Sequence, residues 1–469
     1  MTASRTSGTR SSQRRTRGPM RIGSWLGVVV AAVAVVASTS ALGASSDSAA
    51  MAQARGRTVA DMPDDISGPQ VHLLYVVPSD GADGRLDTNG GMEQSIARIE
   101  RWLITQTRDQ GMRIDTSGGV PDITFFRLPR TDAQAAATLY GPQFVIGEDL
   151  VAAGFNDPSK VYAVMYGGHG SSTCGAATSP ALPKLAAAYL QGGTAEGAQI
   201  CREIRGFGPG TNRAGFFEIV LLHEIMHVIG FSPPCAPHAS KSEFPDHVND
   251  SNRDLMYGPD ATHPAGWDWA NAVLDVNRDD YYRANVPGCR DLSNSPYLQA
   301  THSVSVKVSG PGTVTSNPAG IDCPGSCTAM FARGAALIAT PHEGAIFRSW
   351  TGACSGTGAC MATGGSVSAA FSALSHRRTL TLRVRAQRAT GALGVVDSYR
   401  PCRVHVPVVV DRRGKHGWST VRRLRTDSAG LFALAIPRGP ASYRARAPRT
   451  TASGHQCFEA VSRTVVASG

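Results

Sequence analysis

The chain has 469 residues and a formal charge of +10, with 51 glycines and only 7% aromatic residues. That length exceeds one ordinary core, so about two to four loop-rich domains are expected, and no internal stretch is long and apolar enough for a bilayer span, which excludes a chain threaded through a membrane by internal helices. The charge is uneven: 18 bases stand against four acids from Arg377 onwards, while residues 22–376 hold 22 bases and 32 acids. An acidic body with a basic tail is therefore expected.

The chain opens like an export signal. Arg5, Arg10, Arg14, Arg15, Arg17 and Arg21 precede the apolar run Trp25–Ala37 and the small residues Ser38–Ala44, the order of a secretory signal. Residues 1–44 are read as the signal, cut near Ala44 or Ala50. An uncleaved anchor is disfavoured, because the run is shorter than the ~20 residues of a span. The protein is expected to be secreted, with the cell surface open to it. Residues 45–69 lack periodicity and read as linker.

Residues 70–300 alternate strand and helix patterns. "VHLLYVVP" (71–78), "DITFFRLP" (122–129) and "KVYAVMYGG" (160–168) read as strands. "GMEQSIARIERWLITQT" (91–107) spaces Met92, Ile96, Ile99 and Leu103 as one helical face, and "RAGFFEIVLLHEIMHVIG" (213–230) is a long apolar helix that Gly230 should cap. An α/β or α+β domain follows from this alternation.

Within the last helix, His223 and His227 are four residues apart and share a face, so both imidazoles can aim at one metal ion. Glu224 lies about 100° round the helix, within reach of a water at that ion without ligating it. Two imidazoles and a carboxylate on an apolar helix would be costly without a metal.

"HEIMHVIGF" resembles the metzincin zinc peptidases, whose signature is HExxHxxGxxH followed by a Met-turn. The resemblance implies a metzincin-like catalytic domain that binds Zn2+. It also implies His223 and His227 as ligands, Glu224 as general base, Gly230 as the chain-reversing turn, and a protein or peptide substrate. The third histidine of the signature is replaced by Pro233. Two residues compete for its place, His238 in "CAPH" and His247 in "HVNDSNRDLMYGP". The second stretch is similar to the matrixin Met-turn region, with Met256 and Tyr257 in the corresponding places, which favours His247 and makes Phe231–Asp246 an insertion. His238 is the alternative. A cage drawn from Asp246, Asp250 or Asp254, or from Asp275, Asp279 and Asp280, would suit Ca2+; turn capping accounts for these acids as well. Glu243 as a glutamate ligand lacks a helical context, and "GGHGSSTCG" around His169 lacks the order of a phosphate loop.

After residue 300 helical periodicity ends. Within a module of residues 301–374, the stretch Ser303–Phe371 resembles bacterial repeat modules related to the B repeats of internalins, through "GPGTVTSNPAGIDCPGSC", "FRSWTGACSGTGAC" and "SAAF". The resemblance implies a small β module that spaces or binds. Residues 375–469 alternate as a β-sandwich would, and "TDSAGLFALAIPRGPASYRAR" is similar to sandwich modules of secreted bacterial enzymes. The chain is thus multidomain, with two small all-β domains behind the catalytic one.

Ten cysteines in an exported chain favour disulfides. Cys323/Cys327, Cys354/Cys360 and Cys402/Cys457 are close or bracketing pairs. Cys174, Cys201, Cys235 and Cys289 allow three pairings, of which chain order favours Cys174–Cys201 and Cys235–Cys289.

The functional expectation is a secreted zinc endopeptidase, expected to be a monomer. A surface-binding or adhesion protein with an inactive protease-like domain is the alternative, and a metal-dependent hydrolase of another polymer the third reading. The basic tail could hold an anionic cell-surface polymer. No nucleic-acid motif accompanies it, so no nucleic acid is expected.

Overall fold

The computed structural model describes residues 56–137, 141–178, 183–193, 206–208, 213–229, 233–241, 246–258 and 266–467. The expected signal, residues 45–55 of the linker, Cys201, Gly230 and Glu243 lie outside the described residues. Most regular structure is β, spread over several sheets with few helices.

The first part of the chain is organised by a five-stranded sheet. Strands β1 (Gln70–Val77), β2 (Ile123–Arg127), β3 (Lys160–Tyr166), β4 (Gly175–Thr178) and β5 (Lys184–Tyr189) lie in the order β2-β1-β3-β5-β4. All neighbours are parallel except β4, which runs antiparallel to β5 at the edge. Every residue of β1 and β3 is buried. That matches their largely apolar text, interrupted only by Gln70, His72 and Lys160, since a parallel strand is covered on both faces. Helices α1 (Gly91–Thr107) and α4 (Phe216–Val228) join the core on one face. The short α2 (Asp132–Ala136) and α3 (Pro142–Ala152) belong to the other.

Residues 57–65, expected as linker, are seated on this body. Phe125 N–H donates to Thr58 O at 2.9 Å, and the Lys160 ammonium meets Asp61 at 2.7 Å and Asp64 at 2.8 Å. The contacts are polar, which is why hydrophobic periodicity did not reveal them.

Two further apolar cores follow. One lies between the four-stranded sheets of residues 302–373 and includes Val304, Val314, Trp350 and Phe371; the other, in residues 380–467, includes Val408, Val410, Phe432 and Tyr443. Disulfides join Cys235–Cys289, Cys323–Cys327, Cys354–Cys360 and Cys402–Cys457. Cys174 is also disulfide-bonded. Such bonds suit an oxidising compartment. Among the described residues, no helix is long and apolar enough to cross a membrane.

Candidate metal centre

Helix α4 is buried on nearly every side; of its 13 residues only His227 is not fully buried. Its start is fixed by Glu218, whose carboxylate accepts the backbone N–H of Gly215 at 2.9 Å and of Gly208 at 3.0 Å. The same carboxylate pairs with Arg98 of α1 at 2.7 Å, and both side chains are almost wholly enclosed. A buried charge requires such a partner. The pair ties the helix that carries the HExxH residues to its neighbour.

From this fixed helix, His223 and His227 project their rings to one place, and His247 joins them from the loop that follows. Nε2 of His223 lies 3.1 Å from Nε2 of His247 and 3.2 Å from Nε2 of His227. His223 Nδ1 donates to the Leu255 carbonyl at 2.6 Å, so its Nε2 carries a lone pair and no proton. A tetrahedral ion with metal–nitrogen bonds of ~2.0–2.1 Å sets its ligands roughly 3.4 Å apart. The nitrogen spacing here is close to that. The chemistry of the donor set therefore fits a divalent ion, and the three histidines form a group able to hold one.

Burial also selects the ligand form. It drives the His223 pKa down to about 3 and that of His227 well below the ordinary range, with neighbouring histidines adding to the fall. Both imidazoles are thus neutral, as metal ligands must be. The same burial raises Glu224 to about 8. A cation beside it would return it towards the carboxylate. Edge strand β4 passes very close: a Cβ added at Gly175 would come within 2.9 Å of Glu224 Cγ and 2.6 Å of Ala187 O. Only glycine lets the strand run so near the glutamate.

The turn beneath the site explains how His247 is brought in. Val248 N–H donates to Met256 O at 3.0 Å, and Gly258 N–H to Val248 O at 2.9 Å. Met256 is fully buried. Asp254 pins this turn from inside: Oδ1 accepts Met256 N–H at 2.8 Å and Tyr281 O–H at 2.7 Å, and Oδ2 accepts Val276 N–H at 2.8 Å. Trp267 donates to Asp254 O at 2.9 Å and sets its ring 5.4 Å from that of His223. The sequence reading weighed Asp254 as a calcium ligand or a turn cap without tying it to the histidine site, and missed Trp267. The position of Asp254, two residues before the methionine, was a signal for the first; nothing pointed to the second.

His238 is placed elsewhere. Asp280 draws it aside, accepting its backbone N–H at 2.9 Å and facing its Nδ1 at 3.1 Å, and Asp250 and Asp279 complete a second group. The alternative third-ligand assignment thus meets a competing carboxylate partner. The acids considered for calcium divide: Asp254 and Asp275 are spent on backbone N–H groups and tyrosine, whereas Asp250, Asp279 and Asp280 stay with His238. His169 forms a separate pair with Asp132 at 2.5 Å.

No protein-family model matches the sequence, and no curated protein matches it significantly. Similar solved structures include wild-type OgpA from Akkermansia muciniphila, 10% identical over 88% of this chain and 95% of that one, with a TM-score of 0.26. Catalytically inactive OgpA in complex with an O-glycopeptide substrate, also 10% identical over 88% and 95%, gives 0.25. Pectate lyase PelI from Erwinia chrysanthemi in complex with tetragalacturonic acid is 16% identical over 19% of this chain and gives 0.13; the chain spans 27% of that protein's length. At such scores none of these likenesses bears on fold or function.

Proposed function

We propose that this protein is a secreted zinc-dependent endopeptidase of the metzincin type, with His223, His227 and His247 as the metal ligands and Glu224 as the general base. The observation that carries the reading is the convergence of three imidazole nitrogens beside one buried glutamate. When bound there, zinc supplies Lewis acidity, bringing the pKa of a water in its shell towards ~7 and polarising a carbonyl.

The chain's own residues account for the rest. The Leu255 carbonyl fixes the tautomer and ring plane of His223. Glu224 takes the proton of the attacking water at its carboxylate and returns it to the departing amine. Burial, by raising its pKa, makes the Glu224 carboxylate a stronger base for taking that proton. Strand β4, whose outer edge pairs with no described strand, offers its backbone to an extended peptide beside Glu224.

The test is direct. Purified protein should contain one zinc per chain and cleave casein, and Glu224→Ala should keep the zinc while losing on the order of a hundredfold or more in rate. A chain without stoichiometric zinc, or a variant as fast as the parent, would refute the proposal. Zinc without peptide cleavage would point to another polymer as substrate.

A further inference from the structure

The basic tail places four of its arginines, Arg413, Arg423, Arg444 and Arg446, on one face of a sheet. Strands β6 (Pro407–Gly414), β7 (Gly417–Arg425) and β8 (Ala441–Ala447) pair antiparallel with β6 in the middle. On β8, buried Tyr443, Ala445 and Ala447 alternate with Arg444 and Arg446, which face outward. Arg446 lies opposite Val409, and Val409 opposite Arg423, so the two arginines flank one residue of the middle strand, two strand spacings or about 10 Å apart. The next rows bring Arg444 opposite Asp411, and Arg413 opposite Trp418.

This face is built as well as charged. Asp411 is 1% exposed. It accepts Arg444 Nε at 3.2 Å, Arg446 Nε at 2.6 Å and Arg446 Nη2 at 3.2 Å, while the Arg444 guanidinium rests 4.4 Å from the Trp418 ring centre. Two long side chains that would otherwise lose entropy on meeting a ligand are already held. Among the described residues, both Arg444 terminal nitrogens, Arg446 Nη1 and the whole guanidinium groups of Arg413 and Arg423 make no hydrogen bond.

We propose that the outer face of β7–β6–β8 is a binding surface for an anionic polysaccharide bearing carboxylates, with Arg444 and Arg446 as its fixed points. Of the 18 bases after residue 376, all but Lys415 are arginine. The guanidinium fork matches a carboxylate edge to edge, which an ammonium cannot. Repeated rows across the face of a sheet suit an extended chain with repeated charges. Single-stranded nucleic acid would need open aromatic platforms, but Trp418 is covered by Arg444. An anionic lipid surface would favour protruding aromatic groups among the charges; Trp418 is half-buried, and the exposed apolar groups, Val461 opposite Arg446 and Val466 opposite Ser442, are small and stand at the edge of the sheet.

The inference stands apart from the zinc site and is tested on the full chain. Alginate serves as the probe polymer, with duplex DNA and phosphatidylglycerol vesicles as competing ligands, in equilibrium titrations over a range of salt. The parent should bind alginate best. Arg444→Gln with Arg446→Gln should weaken binding about tenfold or more and flatten its salt dependence. Because that pair touches buried Asp411, Arg413→Gln with Arg423→Gln, which removes no hydrogen bond or ion pair among the described residues, is the second test and should also weaken binding several-fold. Exposed Arg385 and Arg388 lie on another sheet; changing both to Gln removes the same charge and should leave affinity within about twofold. The proposal is overturned if the parent does not bind alginate, if the control pair loses as much as the others, or if DNA or vesicles bind more tightly.

Discussion

His223 donates from Nδ1 to the backbone carbonyl of Leu255 at 2.6 Å, joining the first histidine of the helix to the residue just before Met256. A loop carbonyl thus decides which ring nitrogen faces the other two histidines. The same turn holds Val248, and through it His247. One short segment orients two of the three imidazoles.

His247→Ala should therefore abolish stoichiometric zinc, whereas His238→Ala should retain it. Metal content after dialysis, measured by atomic emission, separates the two. Zinc lost from the His238 variant and kept by the His247 variant would reverse the ligand assignment.

Asp254 acts on the ligands only through the turn. Replacing it with Asn keeps the shape but turns one acceptor oxygen into a donor, facing N–H or O–H groups that need acceptors. Zinc affinity is expected to fall about 10–100-fold, in the range of outer-shell substitutions, with the far-ultraviolet spectrum unchanged. Competition with a chelator of known affinity gives the measurement; an unchanged dissociation constant would show that the turn holds itself.

Glu218→Ala leaves Arg98 buried without its carboxylate and strips the first turn of α4 of its acceptor. A loss of about 3–5 kcal/mol is expected, seen as a lower urea midpoint of the transition reporting on residues 70–300. Double replacement of Arg98 by Met and Glu218 by Leu should recover part of it. If the single and double variants unfold at the same midpoint, the buried charge is not the cause.

His238 should titrate above the ordinary histidine value. Burial opposes its charge, but the Asp280 hydrogen bond and the carboxylates of Asp280, Asp250 and Asp279 outweigh it. A raised folded pKa means the contribution to stability is full below the unfolded value of about 6.5 and disappears as pH rises through the folded value. Histidine NMR of the zinc-loaded protein reports this directly. A His238 ring that stays neutral throughout would contradict the Asp280 pairing.

By itself the sequence determined what short-range geometry determines. His223, Glu224 and His227 sit on one apolar helix, and helical spacing alone sends the two rings to a common point. The largely apolar text of β1 and β3 announced strands, and the alternation of Arg444 and Arg446 with Tyr443 and Ala445 was there to be read. The tertiary structure alone decided which histidine joins the pair. His238 and His247 stand in a turn-rich stretch with no periodicity, so their distances from the helix depend on long-range partners. Asp280, 42 residues further on, captures one of them, and the backbone of Met256 and Gly258 holds Val248 beside the other. The docking of residues 57–65 was hidden for the same reason. Polar contacts between distant segments leave no pattern in either, and they become visible only when folding brings the partners together.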